Sequence, residues 1–355
     1  MKIITSKRVC ESCSDNRQSK TCTELRRSIQ NLKWLGLVAL GVAFAMGGAV
    51  AEAQQPAKAP KIGSLQLDSG RFIESKIFHQ ALRALGYVEG KNIFIERRSA
   101  EGKLDRLPAL ADELAGLKVD LIVALSTTAA LAAKNATKTI PIVFSSGGDP
   151  VAVGLVDSLA RPGGNLTGFS NISSELAGKR PELLKETVPK LSRVAVLWNL
   201  RDASSAQEWK ESLHPARELG LQLHSMEVSS ADQLESAFKE AIKARSAALA
   251  VTSASVNNSN HKRIADLAVK HRLPAISPWK EFVASGGLMS YGPDEAEGYR
   301  RLAYLIDRVL KGAKPEDLPV ERPMGFELHM NLKTADALKL TIPPIVFMRV
   351  TDVVK

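Results

Sequence analysis

The sequence predicts an α/β protein of two Rossmann-like lobes, each built on a parallel sheet. Three observations carry that expectation. Short apolar segments alternate with amphipathic ones along most of the chain, the order that builds parallel sheets with helices on both faces. The alternation breaks at the Gly/Pro-rich stretch Arg161–Gly168 (RPGGNLTG), which reads as a connector, and then restarts. About 300 residues follow an apolar run near the N-terminus, enough for two domains that each bury a core.

The elements follow in chain order. Leu35–Val50 (LGLVALGVAFAMGGAV) is uncharged, follows Arg26, Arg27 and Lys33, and precedes Ala51-Glu52-Ala53. A basic flank, a short apolar run and an Ala-x-Ala site predict a cleavable export signal over residues 1–53, a leader over 54–60 and a periplasmic location. The run falls short of the ~20 residues that a spanning helix prefers. Cys10, Cys13 and Cys22 all precede it, so the exported chain carries no thiol, which suits an oxidising compartment.

Lys61–Leu67 (KIGSLQL) then reads as a strand. Glu74–Leu85 has helical spacing through Ile77, Phe78, Ala81, Leu82 and Leu85, closed by Gly86. Asn92–Arg97 alternates as a strand, and Leu104–Leu117 is helical. Asp120–Leu125 (DLIVAL) is the continuous apolar run of a strand buried on both faces. A helix at Thr128–Ala136 and a strand at Pro141–Phe144 complete the first half.

Beyond the break, helices at Leu176–Val188, Ala206–Leu219, Ala231–Ala244 and Asn260–His271 alternate with strands. Those strands are Arg193–Trp198, Leu221–Val228, Ala247–Thr252 and Pro274–Ser277. A last set has strands at Leu288–Tyr291 and near Phe326–Met330, with helices at Ala296–Leu310 and near Thr334–Leu338.

Charge and composition narrow the function. Of 48 Lys+Arg and 38 Asp+Glu, eight and four precede Gln54, so the remainder carries +6 rather than +10. Those charges are interspersed, and aromatics make up only 5%. A nucleic-acid partner is therefore not expected. No G-x-G-x-x-G follows the first strand. Walker A, H-E-x-x-H and G-x-S-x-G patterns are missing too, and six histidines stand singly. The chain reads as a non-enzyme without a cofactor or a metal.

The informative residues sit where strands end, the place where open α/β sheets bind ligands. Ser126-Thr127-Thr128 either cap a helix or cradle a carboxylate with hydroxyls and free amides. Ser146 and Asp149 lie in Ser145-Ser146-Gly147-Gly148-Asp149-Pro150, whose glycines let backbone approach a ligand and whose Asp either takes an ammonium group or makes a turn. Trp198-Asn199 ends a strand, the Trp being a stacking platform or a core residue. Ser253 and Tyr291-Gly292-Pro293-Asp294 end two more strands, and Gln66 and Asn171 join the candidates.

Five stretches make the chain resemble a known family: GYVEGKNIFIERRSAEGKLDRLPALADEL, KTIPIVFSSGGDPVAVGLVDSLARPGGNLTG, ELAGKRPELLKETVPKLSRVAVLWN, GGLMSYGPD and NLKTADALKLTIPP. They resemble the substrate-binding proteins of ABC transporters, in the group that includes binders of tryptophan and other aromatic amino acids. The resemblance implies a type-1 periplasmic-binding clamp with three hinge crossovers. Lobe one would take residues 60–168 plus 283–318, and lobe two 169–282 plus 319–355. It also implies a small-molecule ligand with a carboxylate at Ser126–Thr128 and an amine at Asp149 or Asp294. The expected function is solute capture by a monomer for an ABC permease and ATPase; the alternative is a sensor coupled to a receptor kinase.

Overall fold

Two sheets organise the computed structural model, which describes residues 59–68 and 74–355. The expected export signal, its cysteines and most of the leader lie outside those residues. The first sheet holds β1 (Lys61–Gln66), β2 (Phe94–Ser99), β3 (Leu121–Leu125), β4 (Ile142–Ser146) and β5 (Leu166–Ser170) in the order β2-β1-β3-β4-β5. Every pair is parallel, with Ile62 opposite both Ile95 and Leu121. Helices α1 (Lys76–Ala84), α2 (Leu107–Gly116) and α3 (Thr127–Ala136) make the crossovers. Leu65, Leu114, Ala133 and Phe144 fill the core on one face, and Ile62, Phe78, Val123 and Val143 that on the other. Covered faces explain the unbroken apolar run of β3.

Helix α4 (Lys179–Thr187) leads into the second sheet. Its strands are β6 (Arg193–Trp198), β7 (Gln222–Glu227), β8 (Ala248–Val251), β9 (Ala275–Ser277), β10 (Met289–Pro293), β11 (Phe326–Asn331) and β12 (Asp352–Val354). They lie in the order β12-β11-β10-β9-β8-β6-β7. Only the β10–β11 pair is antiparallel. Helices α5 (Ala203–Glu218), α6 (Leu234–Lys243), α7 (Ser255–Asn258), α8 (His261–Lys270) and α9 (Lys280–Ala284) join its parallel strands.

The chain crosses between the lobes three times. It leaves the first sheet after Ser170 and returns as α10 (Glu295–Leu310). Leu302, Leu305, Ile306 and Val309 of α10, at helical spacing, bury against the first sheet. Val320 still belongs to the first core and Glu321 bridges Phe169, after which β11 rejoins the second sheet. Helices α11 (Leu332–Ala337) and α12 (Pro344–Phe347) finish the second lobe. Among the described residues, no helix is long and apolar enough to cross a membrane.

Two expectations need correction. Residues 283–318 do not move to the first lobe as a block, because β10 pairs with β9 and β11 in the second sheet; the crossing comes after Pro293. The second-lobe segment likewise starts later than 319, since Val320 packs in the first core. The supposed connector Arg161–Gly168 ends inside a strand: β5 is buried throughout and pairs along β4. Its LTGFS sequence has too little apolar alternation to announce itself.

Candidate functional site: a cleft between two lobes

The carboxyl ends of strands from both sheets face one cleft of about 1030 Å³, open solvent at its mouth included. From the first sheet, β1 brings Gln66 and Asp68, β3 brings Ser126, and β5 brings Phe169 and Asn171. From the second, the turn after β6 brings Asp202 and Ser204, the segment after β8 brings Ser253, Ser255 and Asn258, and β9 leads to Trp279. Asp294, Glu295 and Tyr299 enter from the first turns of α10. Three helices thus start at the cleft: Ser126 Oγ caps α3 by accepting from Ala129 N at 3.1 Å, Asp202 caps α5, and Asp294 caps α10. Their first-turn amides add positive partial charge.

The lobes also touch directly. Thr127 Oγ1 lies 2.5 Å from Ser204 Oγ, and Asp149 N donates to Gln207 Oε1 at 2.9 Å. At the rim, Arg201 pairs with Asp105 at 2.5 Å. Gly147 and Gly148 permit this approach. A Cβ on Gly147 would sit 3.1 Å from Ser204 Oγ, and one on Gly148 would sit 2.7 Å from Gln207 Oε1.

Behind the cleft lies a buried ion pair. Arg180 Nη1 donates to Glu208 at 2.8 Å, with side chains 3% and 1% exposed. The guanidinium also donates to Ser173 Oγ and to the Tyr291 carbonyl. Burial pulls its pKa below the ordinary arginine value, and Glu208 opposes that. Glu208 Oε1 in turn accepts from the Ser253 amide and hydroxyl, which fixes Ser253 at the cleft wall. Burial pushes the Asp202 carboxyl up to about 6, against the backbone amides that pull it down.

Of the twelve residues singled out in the sequence, Gln66, Ser126, Asn171, Ser253 and Asp294 line the cleft. The other seven do not. Thr127 and Ser146 are buried and bonded to each other at 2.8 Å, behind the contact with Ser204. The Thr128 hydroxyl is buried with no hydrogen-bond partner, away from the cleft. Asp149 closes a turn, its Oδ1 accepting from the Val151 and Ala152 amides at 2.8 and 3.2 Å. Trp198 is the core alternative: it stacks on Trp209 at 5.3 Å and donates to Ser225 Oγ. Asn199 Oδ1 accepts from Arg201 N, and the Tyr291 ring packs toward Phe326.

Sequence reasoning passed over Phe169, Asp202, Ser204, Asn258, Glu295 and Tyr299. Asp202 and Glu295 carried a signal, since each begins a helix just after a strand end. Phe169 had none, because its strand was not recognised. Among the described residues, no group of three or more His, Cys, Asp or Glu could hold a metal.

Two mainly parallel sheets, three crossings and a cleft at their strand ends define a two-lobed solute-binding clamp of the type-1 periplasmic class. The chain belongs to the family of ABC transporter substrate binding proteins, whose model matches residues 68–354. It is 32% identical over 279 residues to a tyrosine-binding protein of Clostridioides difficile (strain R20291), covering 77% of this chain and 79% of that one. Among solved structures, it is similar to a conserved domain protein from Vibrio cholerae, with TM-score 0.78 and 27% identity over 83% of this chain and 100% of that one. The ABC domain from Streptococcus pneumonia in complex with L-Trp gives TM-score 0.74 and 25% identity over 83% and 99%.

Proposed function

We propose that this chain is the extracytoplasmic, non-enzymatic subunit that captures an aromatic amino acid and hands it to an ABC permease and its ATPase. The observation that carries the reading is the lining of the cleft. Phe169, Trp279 and Tyr299 offer ring faces, Asp68, Asp202, Asp294 and Glu295 offer carboxylates, and Ser126 stands at the start of a helix. Rings bury the side chain, carboxylates take the ammonium group, and the Ser126 hydroxyl with the first amides of α3 takes the carboxylate. Gln66, Asn171 and Ser253 supply the remaining polar contacts. The relatives that bind tyrosine or were solved with L-Trp support the same ligand class.

The work is done by closure. Ligand joins both walls, and the difference between its affinities for the open and closed forms shifts the equilibrium toward the closed face that a permease reads. Calorimetry and thermal shift on the purified protein with L-Trp, L-Tyr, L-Phe, L-Leu and L-Glu test it. An aromatic member should bind tightest, and at ~100 times its dissociation constant should stabilise the fold by about 2.7 kcal/mol. Preference for L-Leu or L-Glu, or silence from all five, would sink the reading.

A further inference from the structure

Two hydroxyls on the second-lobe wall of the cleft, those of Ser204 and Ser253, have their protons committed elsewhere. Ser146 Oγ donates to the Gly148 carbonyl at 2.9 Å, and a carbonyl oxygen can only accept. A hydroxyl has one proton, so the 2.8 Å bond between Ser146 and Thr127 is donated by Thr127. For the same reason the 2.5 Å bond between Thr127 and Ser204 is donated by Ser204. Thr127 Oγ1 also accepts from Gly148 N at 3.2 Å, which fills its second lone pair. The relay runs one way, from Ser204 through Thr127 and Ser146 to the Gly148 carbonyl. Ser253 is committed by a separate route. Its hydroxyl donates to Glu208 Oε1, an oxygen that also accepts from Ser253 N at 3.1 Å.

Both serine oxygens therefore meet the cleft with lone pairs alone. They flank one point: a Cβ on Gly147 would stand 3.1 Å from Ser204 Oγ and 3.3 Å from Ser253 Oγ. Asp202, which also lines the cleft, adds a carboxylate beside them. Its Oδ1 accepts from the Ser204 and Ser205 amides at 3.1 and 3.2 Å, and its Oδ2 takes a long 3.4 Å contact from Ser255 N. Three acceptors at one corner suit a group that brings several N–H donors. An ammonium brings three. An indole N–H brings one, a phenol hydroxyl brings one together with lone pairs, and a carboxylate brings lone pairs only.

We infer that Asp202, Ser204 and Ser253 seat the ligand's ammonium group, and that Thr127 is a positioning residue that aims the Ser204 proton away from it. This rests on the aromatic amino acid reading above and locates one end of the ligand within it.

The α-hydroxy acids are the probes, since a hydroxyl replaces the ammonium group with a single donor and little change of shape. Calorimetry at pH 7.5 on the purified protein compares L-Trp with L-indole-3-lactate, and L-Tyr with L-4-hydroxyphenyllactate. One amino acid should bind at least about 100-fold more tightly than its hydroxy acid. A smaller margin overturns the inference while leaving the amino acid reading intact; no binding of either amino acid overturns both. Thr127→Val frees the Ser204 proton, which a hydroxyl oxygen can accept and an ammonium cannot. The margin should shrink by about tenfold in Thr127→Val and keep its full value in Thr127→Ser, which rebuilds the relay. A merely structural defect would weaken both ligands alike and leave the margin as it was. An unchanged margin in Thr127→Val, or an equal shrinkage in Thr127→Ser, overturns the relay and the seat it serves.

Discussion

Asp202 couples the cleft to pH. Desolvation raises its carboxyl to about 6, the Ser205, Ser255 and Ser204 amides pull the other way, and Glu208 adds to the rise. The unfolded value is about 3.9, so the folded chain holds this proton more tightly than the unfolded chain does. Its contribution to stability is therefore least unfavourable below pH ~4 and falls as the pH rises through ~6, by about 3 kcal/mol in all. Asp202→Asn should raise the denaturant midpoint of the ligand-free protein at pH 7.5 and flatten its dependence between pH ~4 and ~6. Identical pH profiles for the two proteins would refute that. The site was legible in part at this scale. Gln66, Ser126, Ser253 and Asp294 came from the rule that ligands sit beyond strand ends. Trp198 and Trp279 look alike in sequence, both lying at or just past a strand end. Successive side chains on a strand point to opposite faces, and only the folded sheet decides that Trp198 stacks inward on Trp209 while Trp279 meets the cleft.

At the scale of elements, the Gly147-Gly148 turn and the first turns of α5 act as a seat and a latch. The sequence suggests that these glycines admit a ligand; Gly147 lines the cleft, and the two glycines also admit the other lobe, with Ser204 and Gln207 against them. Gly148→Ala displaces the Gln207 amide and removes one interlobe hydrogen bond, which is worth about 1 kcal/mol. Ligand affinity should fall about fivefold, with the ligand-free melting temperature nearly unchanged. Equal affinity would mean that the latch does not support closure. Long periodic elements such as α10 were readable because four apolar residues at helical spacing leave few alternatives. The short pieces were not. β5, α7, α9, α12 and β12 are three to five residues long and owe their form to neighbours they pair with or pack on.

At the scale of the whole molecule, Arg180 ties two of the crossings between lobes to the wall of the cleft. It donates to Ser173 just past the first crossing, to the Tyr291 carbonyl just before the second, and to Glu208, which holds Ser253 in the cleft wall. The division into lobes was visible from the restart of the pattern, but the place of the second crossing was not. β10 and α10 follow one another with only Asp294 between them, and nothing local says that strand and helix serve different sheets. That arrangement also sets an order of events for a chain made from its N-terminus. The first sheet is synthesised by Ser170, yet one face of it, with Ile62, Leu121, Val123 and Val143, is covered only in part, by Phe78 and Leu82 of α1, until Leu302, Ile306 and Val309 emerge more than 130 residues later. A protein ending at Asp294 should bind a hydrophobic dye strongly and melt without cooperativity, whereas the full chain melts in a cooperative transition; cooperative melting of the short form would refute the dependence. Neither lobe can be finished early, so a growing chain of this fold holds little completed structure until α10 and β11 have been made.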